Sequence, residues 1–249
     1  MIRKLKQFLF KKKSYEKSDI TPPNDVVDVR DEFLVKNRIL RMDANRNDIF
    51  DQTRCNFHAD RYRFACEYTE GKVVLDCASG LGYGASIMKH LGRAKLVYGL
   101  ELDSEACSYS TEKYGAEKLT FKVGSILDIP FSDDEFDVFT SFETIEHIEN
   151  EALQFREVKR VLRNKGLYIL STPNDWGSDA INPYHVRHYT YKSLVDTLSK
   201  NFEIISIYNQ NSGTPNRPEN HDCPRSIYKT TKTNHNLAEC FIAVCMVYK

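Results

Sequence analysis

Residues 75–85 read LDCASGLGYGA, a tight turn between an apolar run and the start of a helical pattern. The mainly apolar residues 72–76 come first, and Gly80, Gly82 and Ala85 then follow the spacing G-x-G-x-x-A of a nucleotide-binding turn. In such turns the glycines let the backbone approach a bound nucleotide at the first residues of a helix. The segment therefore predicts a nucleotide-type ligand at the end of the first strand of an α/β fold.

Outward from this turn, apolar strands alternate with amphipathic helices. The strands are predicted at 72–76, 95–101, 119–124, 136–142 and 167–172, and the helices at about 84–91, 104–114 and 150–163. Such alternation is typical of a mainly parallel sheet with helices on both faces. A further helix over 190–201 precedes two strands, 202–208 and 237–248. Because no helical pattern separates these two strands, they are predicted to pair antiparallel.

Two acidic residues at the ends of the first two strands indicate which ligand the turn holds. Glu101 ends the second strand, 19 positions after Gly82, where nucleotide-binding folds place the carboxylate that binds ribose hydroxyls. Asp76 ends the first strand, and its charge would repel a pyrophosphate but attract ammonium and sulfonium groups. Asp76 therefore favours S-adenosylmethionine over a dinucleotide, which also disfavours a nicotinamide-dependent oxidoreductase.

The sequence resembles the class I S-adenosylmethionine-dependent methyltransferases over about residues 70–175. Four segments carry the resemblance, in the family's order: VVLDCASGLGYG (73–84), VYGLELDSEA (97–106), GSILDIPFSDDEFDVFTSFETIEHI (124–148) and EVKRVLRNKGLYILSTPN (157–174). The resemblance implies a Rossmann-like α/β fold with a seven-stranded, mainly parallel sheet of order 3-2-1-4-5-7-6, in which strand 7 is antiparallel and helices cover both faces.

The same resemblance implies S-adenosyl-L-methionine as the cofactor and a set of residues that bind it. In this sequence the set is Tyr62, Asp76, Ala78, Ser79, Gly80, Gly82, Tyr83, Glu101, Leu102, Ile126, Leu127, Asp128 and Phe142. Within it, the family's pattern implies that Asp128 binds the adenine amino group and that Ile126 and Leu127 line the adenine ring.

The segment HADRYRFACEYTEGK (58–72) resembles the region before the first strand in methyltransferases associated with bacterial surface-polysaccharide genes. In that group Tyr62 would close over the cofactor; the alternative is that Tyr62 only packs the first helix onto the sheet. The resemblance implies a role in polysaccharide biosynthesis, with a saccharide or a glycan precursor as the methyl acceptor.

A cluster of metal-ligand residue types follows the predicted fourth strand. Glu143, Glu146 and His147 stand at i, i+3 and i+4, so a helical turn would place all three on one face at the carboxyl end of the sheet. This pattern resembles that of small-RNA 2′-O-methyltransferases and of ubiquinone-pathway O-methyltransferases, and His185 in NPYHVRHYT (182–190) stands where the first group has a further histidine. Such a set suits a divalent ion such as Mg²⁺. In methyltransferases without a metal the same residues only shape the acceptor pocket, so both interpretations are open.

Histidines are the candidate catalytic residues. Methyl transfer is an in-line displacement, so the protein mainly positions the nucleophile, but an oxygen nucleophile must also lose a proton. His147 and His185 could accept that proton or ligate a metal that acidifies the hydroxyl, and His188 is a third candidate. We therefore predict methyl transfer to an oxygen of a small polar acceptor such as a saccharide. The alternatives are a metal-dependent RNA 2′-O-methyltransferase and an inactive binding protein of the same fold.

Composition limits the partners and the compartment. The 249 residues include 35 Lys+Arg and 35 Asp+Glu, a balance that gives no general attraction to nucleic acid. No apolar run approaches the roughly 20 residues that a membrane span needs, although the six basic residues within 1–13 could give weak contact with an anionic membrane surface. Seven cysteines without metal-site spacing favour reduced thiols in the cytoplasm. A tail with covering helices is predicted over 1–50 and the methyltransferase domain over 51–249, with a long loop at 209–235.

Overall fold

The computed structural model describes residues 42–43, 52–175, 184–213 and 224–249, which belong to a compact unit spanning Leu40–Lys249. Apart from Met42 and Asp43, the predicted N-terminal tail and covering helices lie outside the described residues, as does the predicted membrane contact of residues 1–13. Among the described helices, none combines the length and the apolar character that crossing a bilayer requires.

Helices and strands alternate along the described chain, as the sequence pattern predicts. The strands are β1 Val73–Cys77, β2 Leu96–Glu101, β3 Leu119–Val123, β4 Phe136–Phe142, β5 Leu162–Pro173, β6 Glu203–Asn211, β7 Ser226–Lys229 and β8 Cys240–Met246. The helices are α1 Gln52–Ala65, α2 Tyr83–His90, α3 Ser104–Tyr114, α4 Glu151–Val161 and α5 Tyr191–Ser199. Short 3-10 turns lie at Cys66–Tyr68, Ile145–His147 and His235–Leu237.

Side-chain caps fix where three of these helices begin. Asp103 accepts two backbone N–H groups of the first turn of α3, and Asn150 accepts one at the start of α4. At α5, Thr190 and Ser193 form a reciprocal capping box. Each cap satisfies amide groups that have no partner inside the first helical turn. The predicted helix start at Thr190 is confirmed.

The strands form one sheet in the order β3-β2-β1-β4-β5-β8-β6-β7. Strands β1 to β5 pair in parallel, whereas β8 is antiparallel to both β5 and β6, so β6 runs in the direction of β1. With β8 as the predicted seventh strand, the predicted order 3-2-1-4-5-7-6 is confirmed. The chain leaves β1 toward β2 on one side and returns to β4 on the other, and such a switch opens a ligand crevice at the carboxyl ends of the strands.

The predicted count of seven strands is one too few. Strand β7 pairs antiparallel with β6 at the edge of the sheet, and Tyr208 lies opposite Lys229. Strand β6 also extends to Asn211, so the predicted loop 209–235 contains the end of one strand and the whole of another. Strand β7 has only four residues, too few for an alternating apolar pattern to stand out from its polar surroundings.

Consecutive residues of the central strands point to opposite faces of the sheet and build two apolar cores. Leu75 and Phe139 belong to one buried cluster, whereas their neighbours Val74 and Val138 belong to the other. Because both faces are covered, these strands are apolar along nearly their whole length. The close-packed centre fixes the ends of β1, β2 and β4, from which the candidate site is built.

Candidate active site

The turn between β1 and α2 has the backbone that the glycine spacing predicts. Gly80 and Gly82 have positive φ angles of 57° and 83°, and Ala78 has a φ of 59°. At Gly82 an added Cβ would lie 2.7 Å from Cβ of Ser110 and 2.8 Å from the Phe121 ring. Only glycine fits this position, because both the backbone angle and the packing exclude a side chain.

Asp76 lies at the base of this turn and is completely buried. Its Oδ1 accepts a hydrogen bond of 2.8 Å from the Thr140 hydroxyl, whereas Oδ2 has no hydrogen-bond partner among the described residues. Burial raises the pKa of Asp76 from 3.8 to about 7, and the nearby Glu101 contributes in the same direction, against the hydroxyl groups of Thr140 and Tyr62. The site therefore holds a carboxyl group that an adjacent positive charge would ionise.

Glu101 connects the turn to the second strand. The backbone N–H of Gly80 donates to its Oε2 at 2.8 Å, and the N–H of Asp103 donates to its Oε1 at 3.1 Å. These two bonds hold the carboxylate beside the glycine turn, at the carboxyl end of β2, where the sequence predicts it. Each carboxylate oxygen can accept a further hydrogen bond, so Glu101 can also bind a hydroxyl group.

A cavity opens over the glycine turn. Its lining includes predicted site residues, namely Tyr62, Ala78, Ser79, Gly80, Tyr83, Phe142 and Glu143. It also includes Met42, His58 and Arg61, which the sequence pattern did not single out. The cavity joins the first helix to the crevice at the carboxyl end of the sheet, and so it brings together residues that are far apart in the sequence.

Tyr62 both lines this cavity and packs the first helix against the sheet. Its ring meets the Phe142 ring edge to face at 4.9 Å and the Tyr83 ring at 5.4 Å. A Cβ added at Gly84 would lie 2.0 Å from Cζ of Tyr62, so the missing side chain there makes room for the tyrosine. The packing alternative is thus present in the structure, and Tyr62 also remains in reach of a ligand over the turn.

The residues predicted to contact adenine differ in exposure. Ile126 is buried in the apolar core, Leu127 is half-buried and Asp128 is exposed. Leu102, which follows Glu101, is 71% exposed. An apolar side chain this exposed at a strand end is available for contact with a flat ligand. Leu102, Leu127 and Asp128 are therefore accessible in the predicted adenine region, whereas the Ile126 side chain supports the loop from within.

The prediction that Glu143, Glu146 and His147 share one helical face is wrong. Glu143 has a φ of 51° and precedes a short 3-10 turn, Ile145–His147, so its side chain does not continue the helical face. Its Oε1 instead accepts hydrogen bonds from Ser171 at 2.8 Å and Cys240 at 3.3 Å. Although burial acts to raise the pKa of Glu143, the neighbouring positive charge of Arg61, 3.4 Å away, holds it below the usual range.

A smaller group of ligand atoms does come together. One ligand atom each from Glu146, His147 and His185 lie within 4.8 Å of one another, and Glu143 is not part of this group. Burial, together with the charge of Glu143, raises the pKa of Glu146 to about 8, although Thr172 donates a hydrogen bond of 3.1 Å to Oε2. Three of the four predicted metal ligands are thus adjacent, with one carboxylate instead of two.

The three predicted catalytic histidines lie side by side. The rings of His147 and His185 are 4.8 Å apart between centroids, and those of His185 and His188 are 5.4 Å apart. His147 Nδ1 lies 2.8 Å from the backbone oxygen of Tyr184, which can only accept a hydrogen bond. Nδ1 must therefore carry the proton, and Nε2 of a neutral His147 is free to accept one. Burial, with the neighbouring His147 and His188, lowers the pKa of His185.

Comparisons with known proteins agree with this fold. Residues 75–170 match the family model described as "Methyltransferase domain". A probable S-adenosylmethionine-dependent methyltransferase of Mycolicibacterium smegmatis is 30% identical over 153 residues, 59% of this chain and 58% of the relative. A probable enzyme of the same description from Mycobacterium tuberculosis is 32% identical over 130 residues, 50% of this chain and 46% of the relative. The chain spans about half the length of these curated relatives.

Two solved structures have a fold similar to that of this chain. The YcgJ protein of Bacillus subtilis matches with a TM-score of 0.55 and 19% identity, covering 77% of this chain and all of that one. A second match is a chain from the complex between the Haloferax volcanii Trm112 methyltransferase activator and a methyltransferase. Its TM-score is 0.64 at 16% identity, and the match covers 89% of this chain and 98% of that one. The fold is that of the class I methyltransferases, and the sequence matches support an S-adenosylmethionine-dependent methyltransferase domain over residues 75–170.

Proposed function

We propose that the protein transfers a methyl group from S-adenosylmethionine to a hydroxyl oxygen of a saccharide or a glycan precursor. The observation that carries the cofactor assignment is the buried Asp76 at the base of the glycine turn, with one carboxylate oxygen that has no hydrogen-bond partner among the described residues. An anionic pyrophosphate is disfavoured beside this carboxyl group, whereas a ligand with ammonium and sulfonium charges is favoured.

The chain offers a contact for each part of this cofactor, which supplies the activated methyl group. The glycine turn and Asp76 would hold the positively charged amino-acid end, and Glu101 would accept hydrogen bonds from the ribose hydroxyls. Leu102 would cover one face of the adenine ring, and the exposed Asp128 would accept a bond from its amino group. These contacts run along the carboxyl ends of β1, β2 and β3, as ligands do in open α/β sheets.

His147 is the proposed general base for the acceptor hydroxyl. The Tyr184 carbonyl fixes the proton on Nδ1, which leaves Nε2 as the proton acceptor. Burial and the neighbouring histidines lower the pKa of His185, which favours its neutral form, and a neutral His185 would not repel the proton taken up by His147. His188 is exposed beside His185 and would contact the acceptor instead of the reacting oxygen.

A divalent ion at Glu146, His147 and His185 is a second proposal for the same histidines. Two imidazoles and one carboxylate suit a borderline first-row ion better than Mg²⁺, which prefers oxygen ligands. Such an ion would orient and acidify the acceptor hydroxyl, and His147 would then be a ligand and not a base. Metal analysis of the purified protein and of Glu146→Ala separates the two roles: a near-stoichiometric ion that the variant loses favours the metal.

The acceptor class rests on the resemblance of residues 58–72 to polysaccharide-associated methyltransferases. The RNA alternative depends on four metal ligands, whereas Glu143 is not part of the group that Glu146, His147 and His185 form. One relative, a fatty-acid O-methyltransferase of Mycolicibacterium smegmatis, is 32% identical over 100 residues, 40% of this chain and 36% of that protein. Fatty acids therefore belong in any acceptor panel beside saccharides and RNA.

The test is transfer of labelled methyl from S-adenosylmethionine to panels of nucleotide sugars, oligosaccharides, RNA oligonucleotides and fatty acids. We expect label in a saccharide, and we expect His147→Gln to lower kcat by about 10²- to 10⁴-fold with little change in cofactor affinity. The matched control is His90→Gln, an exposed histidine at the end of α2. Label in RNA or fatty acid alone, or full activity of His147→Gln, would contradict the proposal. Cofactor binding without transfer to any acceptor would favour the inactive binding protein.

A further inference from the structure

Arg61 is a buried charged residue in the candidate site that the sequence pattern did not single out. Its side chain is 1% exposed, and it lines the cavity over the glycine turn together with Ser79 and Gly80. A buried guanidinium is tolerated only when its donors find acceptors. The partners of Arg61 therefore indicate what the residue does.

Two of the three guanidinium nitrogens have partners in the protein. Nε donates to Oε1 of Gln210 at 2.6 Å, while Nη1 lies 3.3 Å from Nδ1 of His58 and 3.4 Å from Oε1 of Glu143. The ring of Phe57 packs against the guanidinium, with its centroid 4.7 Å from Cζ. These contacts join α1 to β6 and fix the plane of the guanidinium group.

The third nitrogen, Nη2, is buried and has no hydrogen-bond partner among the described residues. The Ser79 hydroxyl, which lines the same cavity, is also buried without a hydrogen-bond partner among the described residues. The same is true of Oδ2 of Asp76 at the base of the turn. A purely structural arginine would be expected to use its whole donor fork, because a buried donor without an acceptor is destabilising. A ligand that brings a carboxylate to Nη2 would remove this cost.

We propose that Arg61 binds the carboxylate of the amino-acid end of S-adenosylmethionine and thereby selects cofactors that carry it, an inference that rests on the proposed function. The guanidinium of Arg61 and the carboxyl group of Asp76 provide charges of opposite sign around one turn. An amino acid is a zwitterion, so its carboxylate pairs with Arg61 and its ammonium group with Asp76. Adenosine ligands without the carboxylate leave Nη2 unsatisfied.

The test compares two ligands that differ only in this group, S-adenosylmethionine and decarboxylated S-adenosylmethionine, by calorimetric titration. Wild type should bind the first about 10- to 100-fold more tightly, as expected for a charge-assisted hydrogen bond to a buried arginine. Arg61→Lys and Arg61→Gln should bring this ratio close to one while affinity for the decarboxylated ligand changes little. The matched control is Arg63→Lys, whose side chain is 48% exposed on the same helix and which should keep the wild-type ratio.

Each other outcome overturns the proposal in a recognisable way. Equal affinity of the wild-type protein for both ligands would show that no residue binds the carboxylate. Equal weakening of both ligands in the Arg61 variants would show that Arg61 only supports the fold. If neither variant folds, Gln210→Asn withdraws the acceptor of Nε and should still lower the ratio; an unchanged ratio there refutes the assignment. Failure of wild type to bind either ligand would instead refute the proposed cofactor.

Discussion

Replacing Asp76 with asparagine should make the ligand-free protein more stable at pH 8 and weaken cofactor binding. The pKa of Asp76 rises from 3.8 in an unfolded chain to about 7 in the folded protein, mainly because of burial. Below pH 3.8 the carboxyl group is protonated in both states. Between the two values the folded protein keeps a proton that the unfolded chain releases, so the free energy of unfolding falls as the pH rises through this window.

The size of the effect follows from the shift. About three pH units at 1.36 kcal/mol each correspond to about 4 kcal/mol at pH 8 and to about 2 kcal/mol at pH 5. Asparagine stays neutral and keeps an oxygen for the hydrogen bond from Thr140, so Asp76→Asn should avoid this cost. Its advantage over wild type should therefore be larger at pH 8 than at pH 5. Loss of the carboxylate should also lower the affinity for S-adenosylmethionine at pH 8 by about tenfold or more.

Urea unfolding followed by circular dichroism at both pH values measures the stability difference, and calorimetric titration measures the affinity. Asp128→Asn is the control for stability, because that carboxylate is exposed and should give no comparable pH-dependent gain. An Asp76→Asn variant that is less stable than wild type at pH 8, or that has the same pH dependence, would refute the assignment of a buried, protonatable carboxyl group. Unchanged affinity would refute its role toward a positively charged ligand.

Two further substitutions test how the glycine turn and the predicted adenine loop are held in place. Gly82→Ala places a Cβ 2.7 Å from Cβ of Ser110 and should lower the free energy of unfolding by about 2–4 kcal/mol. The control Gly71→Ala, also at positive φ but in open space, should lower it by only about 1 kcal/mol. Equal losses of stability in thermal unfolding would contradict the packing argument. Arg160→Met removes hydrogen bonds of 2.7 Å to the carbonyls of Ile129 and Phe131, just after the predicted adenine loop. This variant should lower the free energy of unfolding by about 2 kcal/mol and raise the KM for S-adenosylmethionine. An unchanged KM in steady-state kinetics would show that Arg160 does not position the predicted adenine loop.

The central part of the fold and the backbone of the candidate site could be predicted because their determinants are local. The apolar runs, the positive-φ glycines and the acidic strand ends lie within short segments, and the parallel order follows from the alternation of strands and helices. Thr190 likewise marks a helix start that the structure confirms. Such signals depend on neighbours in the sequence and not on packing at a distance.

The remainder depends on contacts that no local pattern contains. Arg61 is tied to Gln210, 149 positions away, so its burial and its place in the cavity lining become visible only in the folded chain. The same arginine pairs with Glu143, whose positive φ turns it away from the predicted metal group. Strand β7 exists because the neighbouring edge of β6 offers backbone hydrogen bonds, and its four residues show no pattern of their own.

The most direct test of the cofactor assignment is a calorimetric titration of the wild-type protein with S-adenosylhomocysteine, with NADH titrated in parallel. The arrangement of Asp76, the glycine turn and Glu101 predicts one molecule of S-adenosylhomocysteine bound per chain and no binding of NADH. Binding of NADH with none of S-adenosylhomocysteine would contradict the assignment of an S-adenosylmethionine site, because it would mean that the turn accepts a pyrophosphate in spite of Asp76.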